Sequence, residues 1–298
     1  MERQSAHESL REVLDLFDNH VHGGIDRRRF VERAARFAVG GLTGAALLSA
    51  LSPRYALAQE VAPDDARITT SRESYTSEAG YGKVEGLMAR PVGQGKLPAV
   101  LVVHEDRGLN PHIEDVARRL AVAGYLALAP DGLTSLGGYP GTDDEGRKLQ
   151  GKLDREKLIL DFLAGAKHLQ GHAACTGKVG VVGFGFGGMV AYQLALRCEG
   201  LNGAVPFYGM PPAAEETGKL KAPLLMHTAE HDTKIMEAMQ PWSEALMRGP
   251  NPTKYAFAWH TYEGTNHGFH DDTTPRYDEK AAKLAWSRTL DFFADRLE

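Results

Sequence analysis

The sequence predicts an α/β fold, a mostly parallel sheet with helices on both faces, from three observations. Strand-like and helix-like segments alternate from about residue 68 to the C-terminus, the pattern of parallel strands joined by crossover helices. Several strand-like segments are continuous apolar runs, such as Pro98-Ala99-Val100-Leu101-Val102-Val103-His104, of the kind buried on both faces of a parallel sheet. Residues 178–188, Lys-Val-Gly-Val-Val-Gly-Phe-Gly-Phe-Gly-Gly, pass from a β-branched run through a glycine turn into helical spacing.

In chain order, 69–75 and 83–89 read as an antiparallel pair at the sheet edge, the second closed by Pro91. The buried run 98–104 follows, ending in Glu105-Asp106-Arg107-Gly108. Pro111 opens a helix that Gly124 ends. Residues 125–130 form the next strand, a glycine-rich loop follows (Gly137, Gly138, Gly141), and 154–169 is a helix carrying Leu158, Ile159, Phe162 and Leu163. Beyond the glycine turn come strands at 203–208, 223–227 and 255–262, with helices at 236–247 and 277–297.

With 298 residues, 43% of them hydrophobic, the chain can bury a large core. The net charge of -5 and the absence of a basic stripe with interleaved aromatics argue against nucleic acid as a partner. Cys175 and Cys198 form neither a C-x-x-C pair nor a disulfide framework. Cys198, in the last turn of the helix after the glycine turn, reads as a small buried hydrophobe, and Cys175 as a loop residue before the strand.

Residues 1–61 read as a separate N-terminal segment and 62–298 as the α/β body. An amphipathic stretch at 5–20 precedes Asp26-Arg27-Arg28-Arg29-Phe30-Val31, an apolar run at 37–51 and Ala56-Leu57-Ala58. That order matches a twin-arginine export signal, which would place the protein in the periplasm or beyond. The alternative is an uncleaved helical arm on a cytoplasmic protein. The apolar run is too short for a confident membrane span.

The glycine turn fits two chemistries. Gly183, Gly185 and Gly188 satisfy the dinucleotide fingerprint G-x-G-x-x-G. That site belongs at the first βα turn, with a carboxylate about twenty positions on at the end of the next strand, and neither condition is met. Gly183 and Gly187 also satisfy the nucleophile elbow G-x-Nuc-x-G, with Gly185 in the nucleophile's seat. The elbow's partners should follow as acid and then base, each in a loop after a strand. Asp232 follows the strand at 223–227, and His267 follows the strand at 255–262. An aspartate fixes the imidazole tautomer and stabilises the imidazolium. One oxyanion donor would be the N–H of Phe186, and the turn at Glu105-Asp106 is placed to supply the other.

On His104-Glu105, Ala129-Pro130-Asp131, the turn at 183–188, the loop at Asp232 and Asn266-His267-Gly268-Phe269, the chain resembles the dienelactone hydrolase family of α/β-hydrolases over about residues 69–298. The resemblance implies an α/β-hydrolase fold and a carboxylic ester or lactone hydrolase with a Cys-His-Asp site and no metal or organic cofactor. In the family the elbow reads G-F-C-x-G-G. Carried over, Asp232 is the orienting acid, His267 the base and Glu105 the carboxylate facing the nucleophile, with Phe186 and Asp106 giving backbone donors. The nucleophile falls at Gly185, which has no side chain, so the chain as written is expected to be crippled. The alternative is a non-catalytic scaffold that binds a small ligand.

Arg107, Arg147 and Arg276 could clamp a substrate carboxylate, with surface roles expected for at least two of them. The family's arginine shortly after the histidine is missing, since Asp271 stands near that place. Tyr139 and Trp242 line a pocket or fill core. His104 is expected to be packed and hydrogen-bonded, His227 and His231 structural or at the surface, and His270, Asp271 and Asp272 a solvated loop.

Overall fold

The computed structural model describes residues 2–21, 24–37, 43–93, 95–249 and 256–298; the side chains of 2–11, 56 and 57 are not described. Part of the apolar run expected at 37–51 (38–42) and the expected strand start at 255 lie outside the described residues. Among the described residues, eight strands form one sheet: β1 (Ile68–Ser77), β2 (Gly82–Pro91), β3 (Leu97–Val103), β4 (Leu126–Pro130), β5 (Cys175–Phe184), β6 (Gly203–Phe207), β7 (Leu224–Ala229) and β8 (Phe257–Tyr262). Their order is β1-β2-β4-β3-β5-β6-β7-β8. β1/β2 and β2/β4 pair antiparallel and all other pairs are parallel.

The helices are α1 (Glu2–Val21), α2 (Arg27–Ala34), α3 (Gly44–Leu51), α4 (Tyr55–Ala58), α5 (Pro111–Val122), α6 (Asp143–Gln150), α7 (Arg155–Gly171), α8 (Phe186–Arg197), α9 (Thr233–Arg248) and α10 (Glu279–Leu297). Alternation along β3 and β5 sends side chains to opposite faces. Leu101, Val103, Val179 and Val181 meet α7, α8 and α9 through Phe162, Val190 and Trp242. Val100, Val102, Val182 and Phe184 meet α5 and α10 through Ile113, Leu120, Ala285 and Phe293. The two apolar layers fix the sheet, and the sheet fixes the site. Chain order reverses around β3, which has β4 on one side and β5 on the other. The crevice outside the carboxyl ends at such a switch point is where ligands bind in open α/β sheets.

Three local expectations are corrected. The glycine-rich loop contains α6, which is held by charge rather than apolar spacing. Thr142 caps it, Asp143, Asp144 and Glu145 fill its first turn, and Arg147 and Lys148 its last, in the sense the helix dipole favours. Cys175 opens β5 rather than lying in a loop before it. Residues 270–272 are not a solvated loop. His270 and Asp271 are buried, His112 Nδ1 lies 3.2 Å from Asp272, and Arg119 reaches Asp272 at 2.5 Å. Opposite charges supplied by α5 make that burial tolerable.

The N-terminal segment has its own small core, in which Val13, Leu14, Phe17, Ile25, Phe30, Leu48 and Leu51 are buried together. It is tied to the body by an apolar contact of Val61 with Ile68, Ala89 and Ala121 and by polar bonds. Tyr55 donates to Asp143 Oδ1 at 2.5 Å, Asp115 accepts from the N–H groups of Glu60 and Val61, and Arg118 Nε donates to Val61 O at 2.7 Å. No helix among the described residues is long and apolar enough to cross a membrane.

Candidate active site

The turn between β5 and α8 is built by close packing. A Cβ on Gly183 would stand 2.0 Å from the carbonyl oxygen of Gly187, and one on Gly187 would stand 2.2 Å from that of Val103. Nothing but glycine fits at either position without moving backbone. Gly185 is different. Its φ of 54° and ψ of -111° are strained for a side chain, yet a Cβ there would meet nothing closer than His267 Nε2 at 3.6 Å and Glu105 Oε1 at 3.7 Å. The position is open, and it faces an imidazole and a carboxylate. Phe186 begins α8, so its N–H belongs to the helix N-terminus, where developing negative charge is favoured.

Register explains why these groups meet. Val103 pairs with Gly183 across β3 and β5, so Glu105 and Gly185, each two residues further on, emerge side by side. Ala229 pairs with Tyr262 across β7 and β8, and Asp232 and His267 leave the sheet just beyond. Asp232 Oδ1 caps α9 by accepting from the N–H of Ile235 at 3.4 Å, while its Oδ2 accepts from His267 Nδ1 at 2.5 Å. The bond leaves Nε2 as the nitrogen turned to the seat at 185. Burial works against the His267 imidazolium, but the hydrogen bond and charge of Asp232, with the charge of Asp18, outweigh it and raise the pKa.

Glu105 is buried and ion-paired to Arg107. Arg107 also donates to Asp143 Oδ2 at 2.9 Å, and Asp143 Oδ1 accepts from Tyr55 and Tyr139. Burial works against the Asp143 carboxylate, but Arg107 and the two phenols hold its pKa below the ordinary value. The effect is a buried, charge-matched scaffold behind Glu105. In front lies a cavity of about 740 Å³ lined by Glu105, Gly185, His267 and Arg276 of the body and by Leu14 and Asp18 of α1.

Comparison with known proteins decides the lineage. The dienelactone hydrolase family profile matches residues 84–297. This chain belongs to the dienelactone hydrolase family. A second profile, YqhI-like, matches residues 1–38. The chain is 56% identical over 114 residues (38% of this chain, 97% of the other) to the Escherichia coli K12 protein whose name includes "hydrolase fragment YghX". It is 31% identical over 223 residues (68% of this chain, 86% of the other) to the Bradyrhizobium "Probable 2-oxo-3-(5-oxofuran-2-ylidene)propanoate lactonase". The crystal structure of P91, described as a dienelactone hydrolase-like promiscuous phosphotriesterase from metagenomic libraries, superposes with a TM-score of 0.66 at 25% identity, covering 78% of this chain and 100% of that one. The protein is therefore a hydrolase of the dienelactone hydrolase type in family and fold.

Within this dienelactone hydrolase fold, the remaining predicted residues separate. Asp106 and Phe186 line the cavity with Glu105, Gly185, Asp232 and His267. Arg107 and Arg276 are buried at the cavity rather than at the surface, because each faces a carboxylate distant in sequence, Asp143 and Asp18 respectively. Arg147 lies outside the cavity lining, near Asp106 and Asp144. Tyr139 is also outside, its hydroxyl spent on Asp143, and Trp242 is core. His104 is packed, accepting on Nε2 from Gly132 N–H at 2.9 Å, and His227 is enclosed between Tyr262 and Thr289. His231 lines the cavity.

Tyr208 went unnoticed in the sequence. It is buried with φ of 37°, lines the cavity, and sets its ring 4.8 Å from that of His267. A non-glycine residue at positive φ is a signal only the backbone reveals. Two clusters among the described residues could hold a metal ion, Glu73-His168-His172 and His112-Asp271-Asp272, and neither lines this cavity. His172 Nδ1 accepts from the N–H of Ala174, which leaves its proton on Nε2. Burial opposes the His112 imidazolium, but Asp271 and Asp272 outweigh it and raise its pKa, an ion pair rather than a vacant ligand.

Proposed function

We propose that the cavity is the site of a carboxylic ester or lactone hydrolase acting on a small molecule, and that Gly185 cripples it by leaving the nucleophile's seat without a side chain. One observation carries the reading: a Cβ at 185 would stand 3.6 Å from His267 Nε2 and 3.7 Å from Glu105 Oε1. With a thiol in that seat, the chemistry is that of a Cys-His-Asp site. His267 Nε2 takes the thiol proton, the sulfur bonds to the carbonyl carbon, and the N–H groups of Phe186 and Asp106 receive the oxyanion. Collapse breaks the C–O bond, and the imidazolium protonates the leaving alkoxide. Water then releases the acyl group by the same route. Asp232 holds the imidazole tautomer throughout.

With glycine at 185, only water can take the seat, with His267 as its base. Sites that lose a triad member retain about 10³ to 10⁴-fold catalysis over water. The Bradyrhizobium lactonase among the relatives supports a lactone as one substrate class. The test compares this chain with Gly185→Cys on an activated aryl ester and an unsaturated lactone. The reading expects a gain of about 10³-fold or more for the cysteine variant. Comparable fast turnover by both proteins overturns the assignment of the seat. The second reading, a scaffold that binds a small ligand without turning it over, is favoured by the absent side chain and a cavity of about 740 Å³. Two inert proteins would move it ahead.

The proposal extends to the N-terminal segment, where Arg27, Arg28 and Arg29 are exposed at the start of α2, as an export receptor would require. N-terminal sequencing of protein from a fractionated native host distinguishes a periplasmic chain beginning near residue 59 from a cytoplasmic chain that keeps its arm.

A further inference from the structure

The charge-matched scaffold behind Glu105 ends on the arm. Tyr55, in α4, donates its hydroxyl to Asp143 Oδ1 at 2.5 Å and accepts from Asn110 Nδ2 at 3.1 Å. Burial, and after it the charge of Asp143, push the Tyr55 pKa well above the ordinary phenol value, so the group stays a neutral donor. Asp143 Oδ2 accepts from Arg107 Nη1 at 2.9 Å, while Arg107 Nη2 is ion-paired with Glu105 Oε2. At the far end of this row, Glu105 Oε1 would stand 3.7 Å from a Cβ at 185. The backbones beneath the row are locked, because a Cβ on Gly146 of α6 would lie 2.0 Å from the carbonyl oxygen of Arg107. The freedom that remains is in the side chains, and a buried guanidinium divided between two carboxylates gives one what it takes from the other.

We propose that Tyr55 is a positioning residue of the cavity: through Asp143 and Arg107 it sets how firmly Glu105 is neutralised beside position 185, so that the arm is a working part of the site. The inference rests on reading the cavity as the ester or lactone site. It adds that a chain cut after Ala58 keeps every residue lining the body's side of the cavity and still differs at Glu105, because Tyr55 leaves with the arm.

The direction of the effect follows from the hydrogen bonds. A phenol that donates to a carboxylate stabilises its charge and satisfies part of its accepting capacity. Without Tyr55, Asp143 presents more of its charge to Arg107, and the guanidinium leans toward Asp143 and away from Glu105. Glu105 then stands less neutralised at position 185. Tyr139 also donates to Asp143 Oδ1, at 3.0 Å, so the body supplies the longer of the two phenol bonds and the arm the shorter. Neutralising Asp143 itself acts in the opposite sense, since Arg107 is then undivided and closes on Glu105. A tyrosine that only tied down the arm would not produce that reversal.

The test uses a thiol at position 185 as a probe of local charge, so it does not depend on turnover. In the full-length Gly185→Cys chain, alkylation by iodoacetamide is followed against pH on the peptide containing position 185, which separates it from the buried Cys175 and Cys198. The midpoint reports the thiolate, which a less neutralised Glu105 disfavours. Adding Tyr55→Phe should raise the midpoint by about half a pH unit or more, and adding Asp143→Asn should lower it. Mere loosening of the scaffold would move both midpoints the same way, toward the ordinary thiol value. With Tyr55 intact, the Cζ resonance of Tyr55 in the Gly185→Cys chain should change with the same midpoint as alkylation, because coupling between two sites is reciprocal. That measurement decides the matter even if a variant misfolds. An unchanged midpoint in folded Tyr55→Phe, shifts of one sign in both variants, or a Tyr55 resonance indifferent to the thiol overturns the proposal. The expected pattern in a cysteine variant that hydrolyses no ester removes the hydrolase reading and leaves Tyr55 coupled to Glu105. An active cysteine variant without the pattern does the reverse.

Discussion

The two walls of the cavity differ in completeness. On the β7/β8 side, Asp232 and His267 are in contact at 2.5 Å, with Nε2 turned inward. On the β5 side, the turn places glycine at 185, so no side chain faces His267 Nε2 from there. Gly183 and Gly187, packed against Gly187 and Val103 respectively, define the turn without reference to residue 185. On the proposed reading, the architecture of a nucleophile elbow and the presence of a nucleophile are separable properties. One is set by packing, the other by a single side chain.

The largest effect should follow from adding His267→Ala to Gly185→Cys, which should remove about 10³-fold or more of the rate gained by the thiol, read as kcat/KM on an aryl ester. A gain that survives loss of the imidazole would mean that the intact wall takes no part. Next, Gly187→Ala should destabilise the fold by about 3 kcal/mol or more in denaturant titrations, since its Cβ would lie 2.2 Å from the Val103 carbonyl. Gly185→Ala should cost only about 1 to 2 kcal/mol, the strain of positive φ without a clash. Equal costs would erase the distinction between the two glycines.

A smaller effect is the pH dependence of the complete wall. Because the folded pKa of His267 lies above its ordinary value, the pair with Asp232 stabilises the fold fully below about pH 6.5, the unfolded histidine value. That contribution fades as pH rises through the higher folded value. The gap in Tm between the parent and Asp232→Asn should therefore narrow from pH 6 to pH 9, and a widening gap contradicts the direction of the shift. Smallest of all is Tyr208→Phe. Its hydroxyl has no hydrogen-bond partner among the described residues, so its removal should change stability by less than about 1 kcal/mol.

Much of this was legible in the sequence because the signals were local. Apolar runs gave the strands, glycine and proline gave the turns, and the loop positions of Asp232 and His267 followed from the strands before them. What escaped depends on partners far along the chain. Arg276 reads as a surface residue until Asp18, 258 positions away, is placed beside it. The stretch 270–272 reads as solvated until His112 and Arg119 arrive from α5. α6 escaped for another reason, since charge at its ends rather than apolar spacing defines it. Tyr208 has no sequence signal, because its mark is a backbone angle.

The most direct measurement is to incubate the Gly185→Cys protein with an activated aryl ester, quench it, and locate the acyl group by peptide mass spectrometry. Acylation is expected on the peptide containing position 185, sharply reduced when His267→Ala is added. Acylation confined to the peptides of Cys175 or Cys198, or acylation at 185 that does not depend on His267, would contradict it.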